Sequence, residues 1–174
     1  MRRLLAVGLL VTSVGWVSPR PGAAQVQDVV SIRPALTLAG AERLVDAALR
    51  RAEEGGWRMV VAVVDGGGHL VQLARMDGVQ LASLEIAVEK ARGAVRFRRP
   101  TSAPAEWVRG NPAYLGLPGI VPVAGGVPLW AGDEVVGGIG VSGATAVEDA
   151  LVADAAAASV GFPFSEPELP RRRR

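Results

Sequence analysis

The stretch from Val60 to Met76, which reads VVAVVDGGGHLVQLARM, constrains the fold of this chain more than any other. Its first five residues form a continuous apolar run, rich in β-branched valine, that is typical of a strand buried on both faces. The Asp65–Gly68 segment contains three glycines, which accept the positive φ angles of a tight turn. Beyond it apolar and polar residues alternate, which predicts a β-hairpin whose second strand is half-buried. One face of that strand would carry His69, Val71, Leu73 and Arg75.

Helices are predicted on both sides of this hairpin in the sequence. Thr37 is a suitable N-cap for a helix that runs to about Glu54, and the Gly55-Gly56 pair would end it. A second helix is expected from about Ala82 to Phe97, with an apolar stripe of Leu84, Val88, Ala91 and Val95. Its acidic residues precede its basic ones, as a helix dipole favours, so both sets also fit a solvated face. These charged residues are Glu85, Glu89, Lys90, Arg92 and Arg96.

The second half of the chain contains further strands and helices. A short helix is expected over 103–108, and a loop rich in glycine and proline follows at 110–119. Glycine-containing turns then separate three predicted strands, which form a meander. These strands are Val121–Ala124, Val127–Ala131 and Val135–Val141. Thr145 and Glu148 have the spacing of a capping box for a last helix through about Val160.

Together these elements predict one α+β domain. Hairpin and meander connections favour a mainly antiparallel, five-stranded sheet, and helices must cover its apolar face in a two-layer arrangement. Pro122 and Pro128 direct their strands toward edge positions, because proline cannot donate to a strand ladder. The glycines of 137–143 indicate a strand packed closely against a neighbour, since the Lys-Ser/Thr ending of a phosphate-binding loop is missing.

The two ends of the chain are predicted to lie outside this domain. Residues 1–24 have the basic start, apolar centre and small-residue cleavage site of a secretory signal, which implies a periplasmic or secreted protein. The apolar centre, Leu4–Val17, is shorter than the roughly 20 residues that span a bilayer. Residues 25–35 are expected to form an irregular arm and residues 162–174 a disordered tail rich in proline and arginine. The domain itself is placed at 36–161.

Charge and composition exclude several classes of function. The whole chain has a formal charge of +2, but seven of its 19 basic residues lie in the leader and tail, which leaves 12 against 17 acidic residues. A body with a net charge of −5 disfavours nucleic-acid binding, which requires a basic face. With no cysteine and one histidine, the chain can form neither disulfides nor a zinc cluster.

Several motifs, in a fixed order, resemble the GlcG/HbpS family of haem-degrading or haem-binding domains. The resemblance covers about Leu36 to Val160, and it implies a PAS-like or profilin-like fold, assembly into homo-oligomers and haem as a cofactor. Members include secreted haem-binding proteins and a domain appended to corrinoid adenosyltransferases. The matching motifs are Val63-Val64-Asp65, Gly67-Gly68-His69-Leu70, Arg75-Met76-Asp77-Gly78, Glu89-Lys90-Ala91-Arg92, Gly125-Gly126-Val127-Pro128 and the segment from Val136 to Gly143.

Haem iron requires a His, Cys, Met or Tyr ligand, and the body of this chain offers few. His69 is a candidate ligand, and the alternative is a turn histidine that bonds a nearby carbonyl. Tyr114 is a second candidate, whereas Met76 fits a core position better. Arg75, Lys90 and Arg92 are candidates for binding haem propionates or a small organic acid, against the alternative of ordinary surface charges. Gly93 replaces a threonine that is frequent in the family.

Three functions are consistent with these features. The first is an exported haem-binding protein that could also degrade haem in the presence of a reductant. The second is an enzyme or auxiliary protein acting on a hydroxy or keto acid. The third is a structural or sensory oligomeric module. Asp65 could orient the His69 imidazole, but no nucleophile accompanies the pair, so no catalytic residue is assigned.

Overall fold

A computed structural model of the protein describes residues 30–162. The chain divides into two units, Met1–Ile32 and Arg33–Arg174. Only residues 30–32 of the first unit are described, and they form no helix or strand. The predicted signal sequence lies outside the described residues, as do the start of the arm and residues 163–174 of the tail. No helix within 30–162 is long and apolar enough to cross a membrane.

The described part of the second unit contains four α-helices and four β-strands, which confirms the α+β class. In chain order the elements are α1 (Leu38–Gly55), β1 (Val60–Asp65), β2 (Leu70–Arg75), α2 (Ser83–Phe97), α3 (Ser102–Gly110), a 3₁₀ helix (Pro112–Gly116), β3 (Gly126–Ala131), β4 (Glu134–Ser142) and α4 (Ala146–Ser159). All strand pairs are antiparallel, in the order β2-β1-β4-β3. The PAS-like or profilin-like assignment stays a prediction.

Local sequence signals fix both ends of α1 and the start of α4 as predicted. The Thr37 hydroxyl accepts a hydrogen bond from the Gly40 N–H at 3.1 Å at the start of α1. Gly56 ends that helix in the left-handed conformation, with φ of 70°. Thr145 and Glu148 form the predicted capping box at the start of α4.

Helices cover both faces of the sheet, so the predicted two-layer arrangement is wrong. α1 and α4 pack against the face that carries Val61 and Val63. On the other face, Val60 and Ala62 contact Ala87 of α2. Every residue from Val60 to Val64 is fully buried, which confirms that β1 is buried on both faces. Burying both faces of a strand requires a helical layer on each side.

The α2 helix packs unusually close to β4 because the strand presents glycine to it. A Cβ atom added at Gly138 would lie 2.7 Å from the Ala91 carbonyl oxygen. One added at Gly140 would overlap the Ala87 carbonyl oxygen. The glycine-rich strand therefore packs closely against a neighbour, as predicted. The fully buried face of α2 is made of small residues and Lys90, whereas Leu84 and Val88 of the predicted stripe are only partly buried.

The predicted strand Val121–Ala124 does not form, so the sheet has four strands in the described chain and the prediction of five is wrong. Pro122 has no N–H to donate to a ladder. The Val123 carbonyl accepts a hydrogen bond from the Thr101 hydroxyl at 2.6 Å, and the same hydroxyl accepts one from the Gly126 N–H at 2.9 Å. These bonds fix 121–125 as an irregular lead-in to β3, which is an edge strand as Pro128 predicted.

A bulge in β2 changes which residues share a face. The register shifts between Val63, which pairs with Gln72, and Val64, which pairs with Leu70. Val71 therefore packs on the α1 and α4 side, while Leu73 packs on the α2 side. The prediction that Val71 and Leu73 share a face is wrong, because strict alternation does not hold across a bulge.

Candidate functional site

The turn between β1 and β2 is organised by the Asp65 carboxylate. Its Oδ1 accepts hydrogen bonds from the backbone N–H groups of Gly67 at 2.8 Å and His69 at 2.9 Å. Both carboxylate oxygens lie 3.3 Å from His69 Nδ1. Desolvation raises the pKa of Asp65, but the hydrogen bonds from the two backbone N–H groups and the imidazole outweigh it and hold the pKa below its ordinary value. Asp65 is therefore an ionised carboxylate that holds the turn.

His69 lies between this turn and β2, as predicted. Its side chain is 83% exposed, and it lines neither of the cavities on the two sides of the turn. The imidazole is therefore accessible to a large ligand that approaches from solvent. One imidazole ring cannot enclose such a ligand, so the neighbouring surface must supply most of the contact area.

Arg92 of α2 connects the hairpin turn to the helix. Its Nε donates to the Gly68 carbonyl at 3.1 Å, and its Nη1 donates to Glu89 Oε1 at 2.7 Å. Arg96 lies 3.9 Å from the other oxygen of Glu89. The Arg92 side chain is partly exposed, so a guanidinium group faces solvent next to the residue that precedes His69.

An apolar pocket of about 390 Å³ lies on the α2 side of β2. Leu73 of β2 forms one wall, and Leu84 and Val88 of α2 form the other. Glu85, Glu89 and Arg92 line the remainder. Apolar walls with a few charged groups are typical of a small-molecule site. The pocket and the His69 turn share Arg92, so they form one continuous surface, which we call the hairpin–helix surface.

A second cavity of about 290 Å³ lies on the opposite side of the turn. It is lined by the 33–36 segment, the turn glycines Gly66 and Gly67, and the start of β4. Asp65 and Glu134 both face it, and Glu134 lies 3.7 Å from Arg33. Two carboxylates make this cavity a poor site for an anionic ligand.

Arg75 and Tyr114 are not brought together with His69. Arg75 is exposed at the far end of β2, six residues or roughly 20 Å along the strand from His69. Tyr114 belongs to the 3₁₀ helix, where its ring lies 6.1 Å from that of Trp107. Trp107 in turn contacts Phe97 at the end of α2 at 5.9 Å, so Tyr114 is part of an aromatic cluster.

Lys90 does not lie on the solvated face that the charge order predicts. Its side chain is 1% exposed, and Nζ lies 2.6 Å from Asp149 Oδ2. Nζ also donates to the Val141 carbonyl at 3.0 Å. Burial raises the pKa of Asp149, and hydrogen bonding and charge attraction from Lys90 offset part of that increase. Lys90 is therefore held in the interior, away from Arg92 and the hairpin–helix surface.

Met76 and Gly93 also have structural partners. The Met76 sulfur accepts a hydrogen bond from the Met59 N–H at 3.3 Å, and the Met76 side chain packs against the larger core. At Gly93 an added Cβ would lie 3.2 Å from Val121 Cγ2 and 3.5 Å from Thr101 Cγ2. This position therefore faces packed protein, so the absence of a threonine there does not alter the hairpin–helix surface.

His69 and Arg92 are the two predicted site residues that lie at the same turn, because Arg92 bonds the Gly68 carbonyl next to His69. Sequence patterns missed the pocket, because Leu84 and Val88 were assigned to the buried stripe. The missed signal was a second row of residues along α2, made of Ala87, Ala91 and Ala94. Their small side chains suit close packing against the glycines of β4. Within 30–162, no group of three or more His, Cys, Asp or Glu side chains could hold a metal ion.

Comparison with known proteins assigns the family. The model for "Haem degrading protein HbpS-like" matches residues 36–158. The chain belongs to the HbpS-like family. Protein GlcG of Escherichia coli is 40% identical over 103 residues, which is 59% of this chain and 77% of GlcG. The corrinoid adenosyltransferase PduO of Citrobacter freundii is 31% identical over 144 residues, which is 79% of this chain but 43% of PduO.

Solved structures agree with this assignment. A double mutant of Streptomyces reticuli HbpS matches with a TM-score of 0.73 and 36% identity, over 83% of this chain and 99% of that one. A complex described as PduOC with haem matches with a TM-score of 0.68 and 29% identity, over 75% of this chain and all of that one. The resemblance to the GlcG/HbpS family is thus confirmed.

Proposed function

We propose that this HbpS-like protein binds haem on its hairpin–helix surface, with the His69 imidazole as an iron ligand. The observation that carries the proposal is that an apolar pocket and the exposed imidazole are joined by one arginine, Arg92. The haem complex of the PduOC relative supports haem as the ligand class.

The residues of this surface fit the chemistry of haem. Iron accepts an imidazole ligand, and His69 exposes one. The porphyrin ring requires apolar contact, which Leu73, Leu84 and Val88 offer. A propionate requires a cation, and arginine binds carboxylates through two parallel hydrogen bonds. Bound haem would supply an iron centre that can change oxidation state.

Arg92 would have to exchange partners when a propionate arrives. Its Nη1 now bonds the Glu89 carboxylate, whereas its Nε bonds the Gly68 carbonyl and holds the guanidinium beside the turn. A propionate that replaces Glu89 leaves the Gly68 bond intact. Glu89 therefore competes with the ligand for the same cation.

Titration with hemin tests this proposal. We expect saturable binding at micromolar hemin with a shifted Soret band, and we expect His69→Ala to move the band and weaken binding. Asp133→Ala, at the exposed β3–β4 turn, is the control and should bind as the parent does. If the parent protein shows neither saturation nor a Soret shift, the proposal is wrong.

The proposal also covers export of the protein, its assembly into a homo-oligomer and the degradation of bound haem. We propose cleavage after Ala24, a periplasmic or secreted location and a homo-oligomer, on the strength of the signal pattern and the family resemblance. N-terminal sequencing of the exported protein and light scattering test these points. Incubating the haem complex with ascorbate tests haem degradation, which requires a progressive loss of the Soret band.

A small hydroxy or keto acid is a second candidate ligand, and the size of the pocket favours it. At about 390 Å³ the pocket is near the lower end of ligand sites, which span roughly 300–1,000 Å³. An acid bound there would use Arg92 without His69. Thermal-shift measurements with such acids would show a higher melting temperature that His69→Ala preserves and Arg92→Gln abolishes.

A further inference from the structure

The His69 ring has a defined orientation although it is exposed, because a glycine makes room for it. A Cβ atom added at Gly67 would lie 2.8 Å from His69 Nδ1 and 2.9 Å from Cε1. These distances are shorter than side-chain carbons tolerate, so any other residue at this position would displace the ring. The missing side chain at Gly67 therefore allows the imidazole to lie against the turn.

The Asp65 carboxylate contacts the same edge of the ring. Oδ1 is used by the backbone N–H groups of Gly67 and His69, which fixes the carboxylate in place. His69 Nδ1 lies 3.3 Å from both carboxylate oxygens, and Oδ2 is the one that accepts no backbone N–H bond. The two ring nitrogens lie on different edges of an imidazole, so Nε2 is on the edge away from Asp65, in a side chain that is largely exposed.

We propose that Asp65 is a positioning residue that keeps the neutral His69 proton on Nδ1 and so leaves the Nε2 lone pair free for iron. The proposal rests on the haem site described above. An anionic carboxylate can only accept a hydrogen bond, so it favours the tautomer that carries hydrogen on the facing nitrogen. The backbone N–H bonds of Gly67 and His69 to Oδ1 stabilise that anionic form.

A histidine held in this way should be a stronger iron ligand than a free one. A carboxylate that accepts the other ring N–H fixes the tautomer and the ring orientation and raises the basicity of the ligand, and its loss typically weakens metal affinity by roughly 10- to 100-fold. The added electron density favours ferric over ferrous iron. A tenfold change in that preference corresponds to about 59 mV for a one-electron couple.

The substitution Asp65→Asn gives a selective test. The side-chain oxygen of the introduced asparagine can still accept the Gly67 and His69 N–H bonds, so the turn is preserved. Its amide N–H₂ group then takes the place of Oδ2 and faces Nδ1 as a donor, which favours Nδ1 as an acceptor and the ring proton on Nε2. Asp46→Asn on α1 is a matched control, because it removes one exposed carboxylate from a helix on the opposite face of the sheet.

The first measurement requires no haem. The chain has one histidine, so long-range ¹H–¹⁵N correlation at alkaline pH assigns the His69 tautomer without ambiguity. We expect the Nδ1–H form in the parent and in Asp46→Asn, and the Nε2–H form in Asp65→Asn. An Nε2–H form in the parent would overturn the proposal whether or not any variant folds.

The second measurement uses hemin and separates this proposal from the haem-binding proposal. We expect Asp65→Asn to lose roughly 10- to 100-fold in hemin affinity and to raise the midpoint potential of the complex, with Asp46→Asn unchanged. Equal affinity and potential in Asp65→Asn and the parent, with His69→Ala impaired, would overturn the role of Asp65 alone. Failure of the parent to bind hemin would overturn the haem site, and the role of Asp65 in iron binding with it, even if the Nδ1–H tautomer is found.

Discussion

Lys90 Nζ lies 2.6 Å from Asp149 Oδ2 in the interior, where the two side chains link α2 to α4 across the end of β4. The remaining polar atoms of the pair are also bonded, because Nζ donates to the Val141 carbonyl and Asp149 Oδ1 accepts from the Ala144 N–H at 3.1 Å. Satisfied hydrogen bonds of this kind allow two opposite charges to be buried together.

Removing one member of this pair should destabilise the protein strongly. Asp149→Leu leaves the Lys90 ammonium buried without a counter-charge, at an expected cost of about 3–5 kcal/mol in the free energy of unfolding. Urea denaturation measures this cost. The double variant Lys90→Met with Asp149→Leu should recover most of the loss, because no charge is then left uncompensated. Arg109→Met breaks the exposed pair with Glu106 and should change stability by less than about 1 kcal/mol.

Sequence patterns predicted the secondary structure well where local chemistry decides it. Thr37, Gly56 and the Thr145–Glu148 box act over three or four residues, and their outcome does not depend on the remainder of the fold. The β2 bulge and the irregular 121–125 segment were missed because they depend on distant partners. Thr101, for example, bonds Val123 across 22 residues.

The site was predictable only in part. The glycine-rich turn and the family motifs identified His69 and Arg92, because both belong to short contiguous patterns. Lys90 was misplaced because charge alone suggests solvent, and its partner Asp149 is 59 residues away. A strand buried on both faces already implied helices on both sides of the sheet. That consequence of the Val60–Val64 run was available from the sequence, and it excludes a two-layer fold.

The glycines of β4 should resist even the smallest side chain. Gly140→Ala would place a methyl group on the Ala87 carbonyl, so α2 would have to move away from the sheet. Overpacking of this kind typically costs about 1–3 kcal/mol. Gly110→Ala, at the end of α3, is the control, because an added Cβ there meets nothing within 4 Å. Thermal unfolding should show a lower Tm for Gly140→Ala only, and equal Tm values for the two variants would contradict the close packing.

The capping box of α4 should make stability depend on pH. Hydrogen bonds from the Thr145 backbone N–H and hydroxyl lower the pKa of Glu148 below 4.5. A carboxyl whose pKa is lower in the folded state stabilises above its unfolded pKa and loses that effect as the pH falls through the folded value. We expect Glu148→Ala to have a lower Tm than the parent at neutral pH. This difference in Tm should shrink below pH 4.5. A difference that is constant with pH would contradict this linkage.

The apolar wall of the hairpin–helix surface should contribute to haem affinity without changing the coordination of the iron. Leu84→Ala removes contact area from the pocket and leaves His69 and Arg92 in place. Losing roughly two to three methylene contacts should weaken hemin binding by about 1–2 kcal/mol, with an unchanged Soret maximum. Val147→Ala on α4 trims an exposed apolar residue on the other face of the sheet and should bind as the parent does.

The contribution of Arg92 can be separated from that of the porphyrin ring by altering the ligand. Arg92→Gln should weaken hemin binding roughly fivefold, or by about 1 kcal/mol, because the guanidinium is partly exposed and its bond to a propionate is screened by water. Haem dimethyl ester carries no carboxylate, so the parent and Arg92→Gln should bind it equally. Glu89→Gln should strengthen hemin binding, because it releases Arg92 from a competing carboxylate. Arg109→Gln controls for the loss of one positive charge. If Arg92→Gln lost the same affinity for hemin and for its dimethyl ester, Arg92 would not bind a propionate.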